Sequence, residues 1–536
     1  MKRPETIDYH ADTATMILQR LSPPQKRPGK RGSIWCRPAR PGEQPRRPHA
    51  DDDRFPLRYP PRLAAGAPPP GGGRRLMMQA RTIAIVGAGF SGAVTAIQLM
   101  RRAAAPLRVV LVNKSGQMAR GLAYGTHSPD HLLNVPAGNM SALDDEPDSF
   151  LDYCRRAGLA VQAHGFVPRA LYGAYLDDLL ERAGSNGPGV LERVVGEVLD
   201  VSSADGSRVT VSLDGARRID CDAVVLAFGH FAPRDVLPRS ALDALGARYV
   251  ADPWSADPLR DVPRDGDVLL VGTGLTALDV VSSLHRVGHA GRIVCVSRHG
   301  LVPRGHRREG ATAGVIDGAA LAAAMGTSLR QQVRVLREAT EAAMTHGEDW
   351  RDCMAALRAH TPALWQALSL ADRDRFLRHV RPYWDALRHR CAPGALDAAQ
   401  AMQRDGRLEI LAGRLCGARL DAAGLAELTV RRRGTAELVG RRAHAVVNCT
   451  GPGSDLRRSG VPLLDQLIEK RHLLPDALGL GLAVDDRYAV LDAQGVAQPW
   501  LRYIGPLLKA RDWEATAVPE LRVHARRLAV DLLAGA

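Results

Sequence analysis

A chain of 536 residues is too long for one hydrophobic core, so two or three domains are expected. Of its +14 net charge, +9 lies in residues 1–76, where 16 Lys/Arg face 7 Asp/Glu; the remainder is close to balanced, which argues against a specific nucleic-acid partner. No apolar run approaches the ~20 residues that span a bilayer, and the eight scattered cysteines form no C-x-x-C pair, which excludes a redox dithiol and a structural zinc site and suits the cytoplasm.

Residues 1–78 form a basic, proline-rich arm with almost no apolar periodicity, expected to be disordered. Met77 and Met78 stand just before the first strand, so the arm reads as a dispensable or mis-started extension. Deleting residues 1–76 should leave the melting temperature nearly unchanged, as measured by thermal denaturation.

The organising stretch is Thr82–Asn113. Five residues, β-branched apart from Ala84, suit a buried parallel strand. Gly87, Gly89 and Gly92 follow in the order G-x-G-x-x-G. Ala93, Ile97, Met100 and Ala104 then mark one helical face, and Val109–Val112 reads as a second strand. In a βαβ unit, the first glycine permits a tight turn, the second admits a pyrophosphate and the third lets helix and strand pack. The first helical turn, Phe90 and Ser91, presents free N–H groups and partial positive charge to the phosphates. The usual acid at the end of the second strand is replaced by Asn113, followed by Lys114; asparagine can still exchange hydrogen bonds with a ribose hydroxyl.

Residues 118–141, broken by Gly121, Gly125, Pro129, Pro136 and Gly138, read as a long functional loop that could lie over a cofactor. A helical pattern spans 148–183, and short strands are expected near 194–201, 208–213 and 218–220. The apolar strand Ala223–Phe228 then stops at Gly229. A second fingerprint occupies 267–279, with Gly272, Gly274 and Ala277 in G-x-G-x-x-A order. Its second strand ends at Ser297-Arg298, where an arginine would hold an adenosine 2′-phosphate that an acid would repel. Residues 315–405 are an Ala/Leu/Arg-rich helical insert. Within it Arg381, Trp384, Arg388, His389 and Arg390 make a cationic, aromatic surface, suited to an anionic substrate or the nicotinamide nucleotide, or to nothing more than a solvated helix face. Segments at 408–411, 415–420 and 426–432 lead into the apolar strand of 444–453, repeating the earlier meander. Near the carboxy terminus a strand ends at Gly505-Pro506, and a helix begins near Pro519.

Two fingerprints, each followed by a meander and an apolar strand stopping at glycine, resemble the two-dinucleotide-binding flavoproteins. GLAYGT, HLLNVPAGNMSAL, VSRHGLVPRGH, RHRCAP and GPLLKARDWEATAVPELR are similar to a bacterial FAD/NAD(P)-binding family related to flavin-dependent urate hydroxylase. The resemblance covers about residues 80–532. It implies an α/β fold with two Rossmann-like domains: FAD-binding residues 79–235 and 454–536, and an NADPH-binding domain, 264–453, carrying the insert. It places Gly87, Gly89, Phe90, Ser91, Gly92, Asn113, Lys114, Asn134, Ala227, Gly229, Gly505 and Pro506 against FAD, with proline where Asp is usual. Gly272, Gly274, Thr276, Ala277, Ser297 and Arg298 would meet NADPH, and Arg381, Trp384, His389 and Arg390 are substrate candidates. The expected activity is an NADPH-dependent, monooxygenase-like FAD oxidoreductase acting on a small polar molecule. A flavin reductase without oxygen insertion and a non-catalytic flavin sensor remain alternatives. No catalytic side chain is singled out.

Overall fold

Two sheets, each with a parallel centre and one antiparallel edge and each built around one of the glycine fingerprints, organise the computed structural model, which describes residues 80–126, 128–185, 188–203, 206–255, 258–309 and 316–534. The basic arm lies outside the described residues. In chain order the first part contains β1 (Arg81–Val86), α1 (Phe90–Arg102), β2 (Leu107–Asn113), α2 (Arg169–Ala183), β3 (Gly189–Val195) and β4 (Ala223–Leu226). The middle part contains β5 (Val268–Val271), α3 (Leu275–Arg286), β6 (Ile293–Ser297), α4 (Arg381–Arg388), β7 (Leu408–Leu420) and β8 (Ala445–Asn448). The chain ends with β9 (Ala497–Tyr503) and α5 (Val518–Ala534).

The first sheet has the order Ala489–Leu491, β9, β4, β1, β2, β3. β1 lies parallel between β2 and β4, and β9 adds parallel to β4, so the carboxy-terminal segment completes the sheet begun by residue 81. Both faces of β1 are covered, which is why it reads as an unbroken apolar run rather than an alternating one. α1 is buried along most of its length in the same core as α5.

The second sheet runs Leu438–Ala443, Ala426–Arg432, β7, β6, β5, β8, Tyr249–Val250. Alternate residues of β5 enter opposite cores: Val268 and Leu270 pack with α3, while Leu269 and Val271 pack under the meander. This sheet takes up Tyr249–Val250 and therefore reaches back before residue 264.

Three local expectations differ in detail. The helical pattern of 148–183 is two helices, Ser149–Arg156 and α2, because Gly158 turns at φ +73° and Pro168 precedes the second. The segments near 408–420 are one strand, bent by a register shift between Leu415 and Gly417. The long loop after β2 contains a helical turn, Gly121–Tyr124, and a 3₁₀ turn, Ala137–Asn139.

The two passages between the sheets pair with each other, Phe231–Pro233 lying antiparallel to Pro452–Gly453. The insert is helical, and it docks on the carboxy-terminal segment through Trp365, Phe376 and Trp513, with the Trp365 and Trp513 rings stacked at 4.7 Å. Among the described residues, no helix is long and apolar enough to cross a membrane.

Candidate functional site

The first fingerprint folds into a tight turn whose glycines have separate reasons to be glycine. Gly87 adopts φ +107°, and a Cβ there would lie 2.7 Å from Ala227 O. A Cβ on Gly92 would lie 1.9 Å from Gly87 O, so any side chain would push the turn off the helix. Around Gly89 the space is open, with Gly121 Cα the nearest atom at 3.7 Å. α1 starts from Gly89 with no side-chain cap and no acid in its first turn. The orphan N–H groups at Phe90 and Ser91 and the positive helix end therefore face a gap that admits a phosphate. This cradle fits a dinucleotide.

Asn113 donates its amide N–H to Ser115 Oγ (3.0 Å) and Gln117 O (2.6 Å), which turns Oδ1 toward the role of acceptor for a hydroxyl. Lys114 is exposed and pairs instead with Glu197 at 3.6 Å. The loop after β2 packs onto the turn: Gly121, at φ +55°, faces Gly89, and the Tyr124 ring meets the Phe90 ring edge-on at 6.3 Å.

Where β4 ends, Ala227 N donates to Val86 O at 2.8 Å, tying the crossing to the fingerprint strand. Gly505 stands beside this crossing at φ +147°, and a Cβ there would lie 2.6 Å from the Tyr503 hydroxyl. Tyr503, unremarked in the sequence, joins the end of β4 to the turn after Gly505: its hydroxyl donates to Phe228 O (3.1 Å) and accepts from Leu507 N (3.2 Å). Burial raises its phenol well above the ordinary range, so it stays protonated. Gly229 has open space around it, whereas Pro506 is buried at the start of a 3₁₀ turn, Pro506–Ala510. Crowding by protein and then the charge of Lys509 lower the pKa of His230 to about 4. Lys509 is itself lowered to about 8, by burial and then by Arg381.

The second fingerprint repeats the first. Gly272 adopts φ +128°, a Cβ there would lie 2.2 Å from Cys449 O, and Gly274 is open. α3 starts at Gly274 without a side-chain cap or a first-turn acid, placing Thr276 in the first turn and burying Ala277 against the sheet. Ser297 Oγ holds its own turn, 2.9 Å from Thr273 Oγ1 and accepting from Gly300 N at 3.0 Å. Arg298 is exposed, and Arg433 donates to its carbonyl at 3.2 Å. Arg433 follows the strand Ala426–Arg432, and only the antiparallel pairing of that strand with β7 brings it to residue 298. Burial, then Arg433 and Arg298, lower the pKa of His299 between them to about 4. Arg307 is held by Asp349 and Asp352, and Arg308 by Asp397, so neither competes for a phosphate at this corner.

The substrate candidates divide into three places. Trp384 Nε1 donates to Glu514 Oε1 at 2.7 Å, and Arg388 and His389 lie 3.4 and 3.7 Å from the same carboxylate. Arg381 stays exposed, on Asp385 at 3.2 Å. Arg390 stands apart from both, beside the bridge between Gly305 and Cys391, whose neighbour His306 meets Asn134 O at 3.0 Å through Nε2. Asn134 thus ties the loop after β2 to the segment that follows β6. Nearby, Arg169 and Asp279 form an inter-sheet ion pair at 2.8 Å, with burial raising the Asp279 pKa to about 6 against the pull of Arg169.

A family model described as FAD-NAD(P)-binding matches residues 84–231. The L-aspartate N-monooxygenase (nitrosuccinate-forming) of Streptomyces cremeus is 34% identical over 141 residues, which is 25% of this chain and 21% of that protein. The chain therefore matches about a fifth of the length of that curated relative. The ornithine hydroxylase of Pseudomonas aeruginosa superposes with a TM-score of 0.57 at 17% identity, over 85% of this chain and 99% of that one. The L-lysine 6-monooxygenase of Pseudomonas syringae gives 0.57 at 16% identity, with the same two coverages. The chain therefore has the fold of these two hydroxylating enzymes, and its residues 84–231 match the FAD-NAD(P)-binding family model.

Proposed function

We propose that this protein is an FAD-dependent NADPH monooxygenase acting on a small polar molecule. One observation carries the reading: two open glycine turns, each at an uncapped helix start, stand on two sheets whose connecting passages pair with each other. FAD would rest on the first turn, with Gly87, Gly89 and Gly92 admitting the pyrophosphate and Asn113 accepting from the ribose. Gly505 and Pro506 would lie against the ring, below the loop that carries Asn134. NADPH would rest on Gly272, Gly274, Thr276 and Ala277, with Ser297 holding the adenosine corner in shape. On this reading residues 79–235 and 454–536 form the FAD-binding unit, and the NADPH-binding unit of 264–453 also draws in Tyr249–Val250. The named relatives, which act on aspartate, ornithine and lysine, support a substrate that is a small amino acid or amine.

Bound flavin and nicotinamide supply hydride transfer and oxygen activation. The chain's own contribution is to align them and to keep water out. The buried Tyr503 hydroxyl pins Phe228 O to Leu507 N and so fixes the end of β4 and the turn after Gly505, which would flank the flavin. Reconstituted protein should be yellow and should lose its colour when NADPH is added without oxygen. With a true substrate, oxygen and NADPH should be consumed one for one with hydroxylated product. Oxygen uptake that yields only hydrogen peroxide across an amino-acid and amine panel would make the protein a reductase instead.

Coenzyme choice offers a separate test. Arg298 and Arg433 together frame the adenosine 2′ position, and one charged hydrogen bond there is worth about 1.5–3 kcal/mol, roughly tenfold or more in kcat/KM. The Arg298→Ala, Arg433→Ala pair should therefore erase most of the NADPH preference in flavin-reduction kinetics while leaving NADH nearly unaffected. Equal losses with both coenzymes would remove these arginines from the 2′-phosphate site.

A further inference from the structure

Around residues 304–307 and 349–352 nearly every guanidinium has its acid or carbonyl. Arg307 is clamped by Asp349 and Asp352; Arg351 holds Asp349 at 2.9 Å and Gly305 O at 3.0 Å; Arg388 reaches Glu514 at 3.4 Å. Arg390 differs. Among the described residues its guanidinium makes neither a hydrogen bond nor an ion pair, and its Nε is shut off from solvent with no acceptor.

The backbone around Arg390 is firmly placed. Cys391 N donates to Arg304 O at 2.9 Å, His306 N donates to Cys391 O at 3.0 Å, and Arg304 N donates to Ala386 O at 2.9 Å. The side chain therefore projects from a fixed strap, with His306, seated on Asn134 O and 5.1 Å from the Phe166 ring, alongside. Burial first, and then Arg388 and Arg351, lower its pKa to about 10 against the pull of Asp349, which Arg307 and Arg351 already hold, and burial with Arg390, Arg351 and Arg388 lowers His306 to about 4. A half-buried cation crowded by cations, with no acid of its own, is incomplete without an anion.

We propose that Arg390 is the anchor for a carboxylate of the substrate, in the space between the end of α4, the Gly305–His306 strap and the loop carrying Asn134. The inference rests on the monooxygenase reading and adds to it the charge of the substrate and the residue that selects it. A planar guanidinium fork matches a carboxylate with two parallel hydrogen bonds, which a lysine at the same place would not. The coenzyme has its own basic corner at Arg298 and Arg433, which flank the insert in sequence, and this leaves Arg390 to the substrate.

The test uses the full-length holoenzyme with succinate as the probe and succinamide as its neutral counterpart, binding being followed by flavin fluorescence or calorimetry. Wild type should bind succinate at millimolar concentration and prefer it to succinamide. Arg390→Gln should weaken succinate about tenfold or more and abolish that preference, with FAD content and NADP⁺ affinity unchanged. Arg390→Lys keeps the charge and should fall between the two, which covers a glutamine variant that fails to fold. Wild type blind to succinate, an Arg390→Gln protein that binds it normally, or a parallel loss of NADP⁺ affinity would each overturn the assignment. Since none of these readings requires turnover, a protein that binds succinate through Arg390 but is not bleached by NADPH would sink the monooxygenase reading alone.

Discussion

Gly92→Ala should give a protein without flavin and with reduced stability. The added methyl would stand 1.9 Å from Gly87 O and 3.1 Å from Ala227 Cβ, neither of which is the loose end of a flexible side chain. Relief requires α1 to move away from β1, and forced overpacking of this kind typically costs about 1–3 kcal/mol. The displaced turn is the one that would hold the pyrophosphate, so colour and melting temperature should fall together. Gly89→Asp separates the two effects. That position is open, so the fold should survive, but a carboxylate beside the expected pyrophosphate should exclude FAD. A yellow Gly92→Ala protein with unchanged melting temperature would mean that the turn does not bind the cofactor as drawn. A yellow Gly89→Asp protein would mean the same.

Glu514→Ala should be among the most destabilising single changes outside the glycine turns. Glu514 is 4% exposed, sits at φ +77° and receives Trp384, Arg388 and His389 from the insert. A non-glycine residue in the left-handed region is held there by its partners rather than by its own preference. Removing the carboxylate leaves the largely buried Arg388 with the more distant Glu520, at 3.8 Å, and breaking a buried pair costs about 3–5 kcal/mol, of which Glu520 would recover part. The insert should loosen from the carboxy-terminal segment, seen as a lower melting temperature and faster proteolysis between residues 316 and 404. The sign with pH follows from the same contacts. Burial alone would raise the carboxyl, but His389, Arg388, Trp384 and Arg358 outweigh it and hold the folded pKa below the ordinary 4.5. Its stabilisation is therefore complete above that value and disappears as pH falls through the folded pKa. Wild type should lose its advantage over Glu514→Ala progressively as pH falls below 4.5 and through the lowered folded pKa; a difference that does not shrink at all on acidification would assign the effect to packing instead of charge.

Both fingerprints were readable from residues alone, because a tight strand–turn–helix joint needs glycine at particular spacings and the apolar runs on either side declare buried parallel strands. The basic Ser297-Arg298 end of the second unit was readable for the same reason. It lies at a fixed distance along one local motif. What the sequence by itself determined was thus set by short-range geometry: which segments are βαβ units and where their turns fall.

The tertiary structure decided the rest, because those contacts join residues far apart in the chain. Tyr503 meets Phe228 only when β9 lies beside β4, and Arg433 meets Arg298 only when the meander folds back along β7. No periodicity distinguishes Arg390, which lacks a partner, from Arg388, which has Glu514, since both are arginines at the end of the same polar helix. A charge is defined as paired or unpaired by what the folded chain brings to it, and that depends on the packing of three separate segments against the insert.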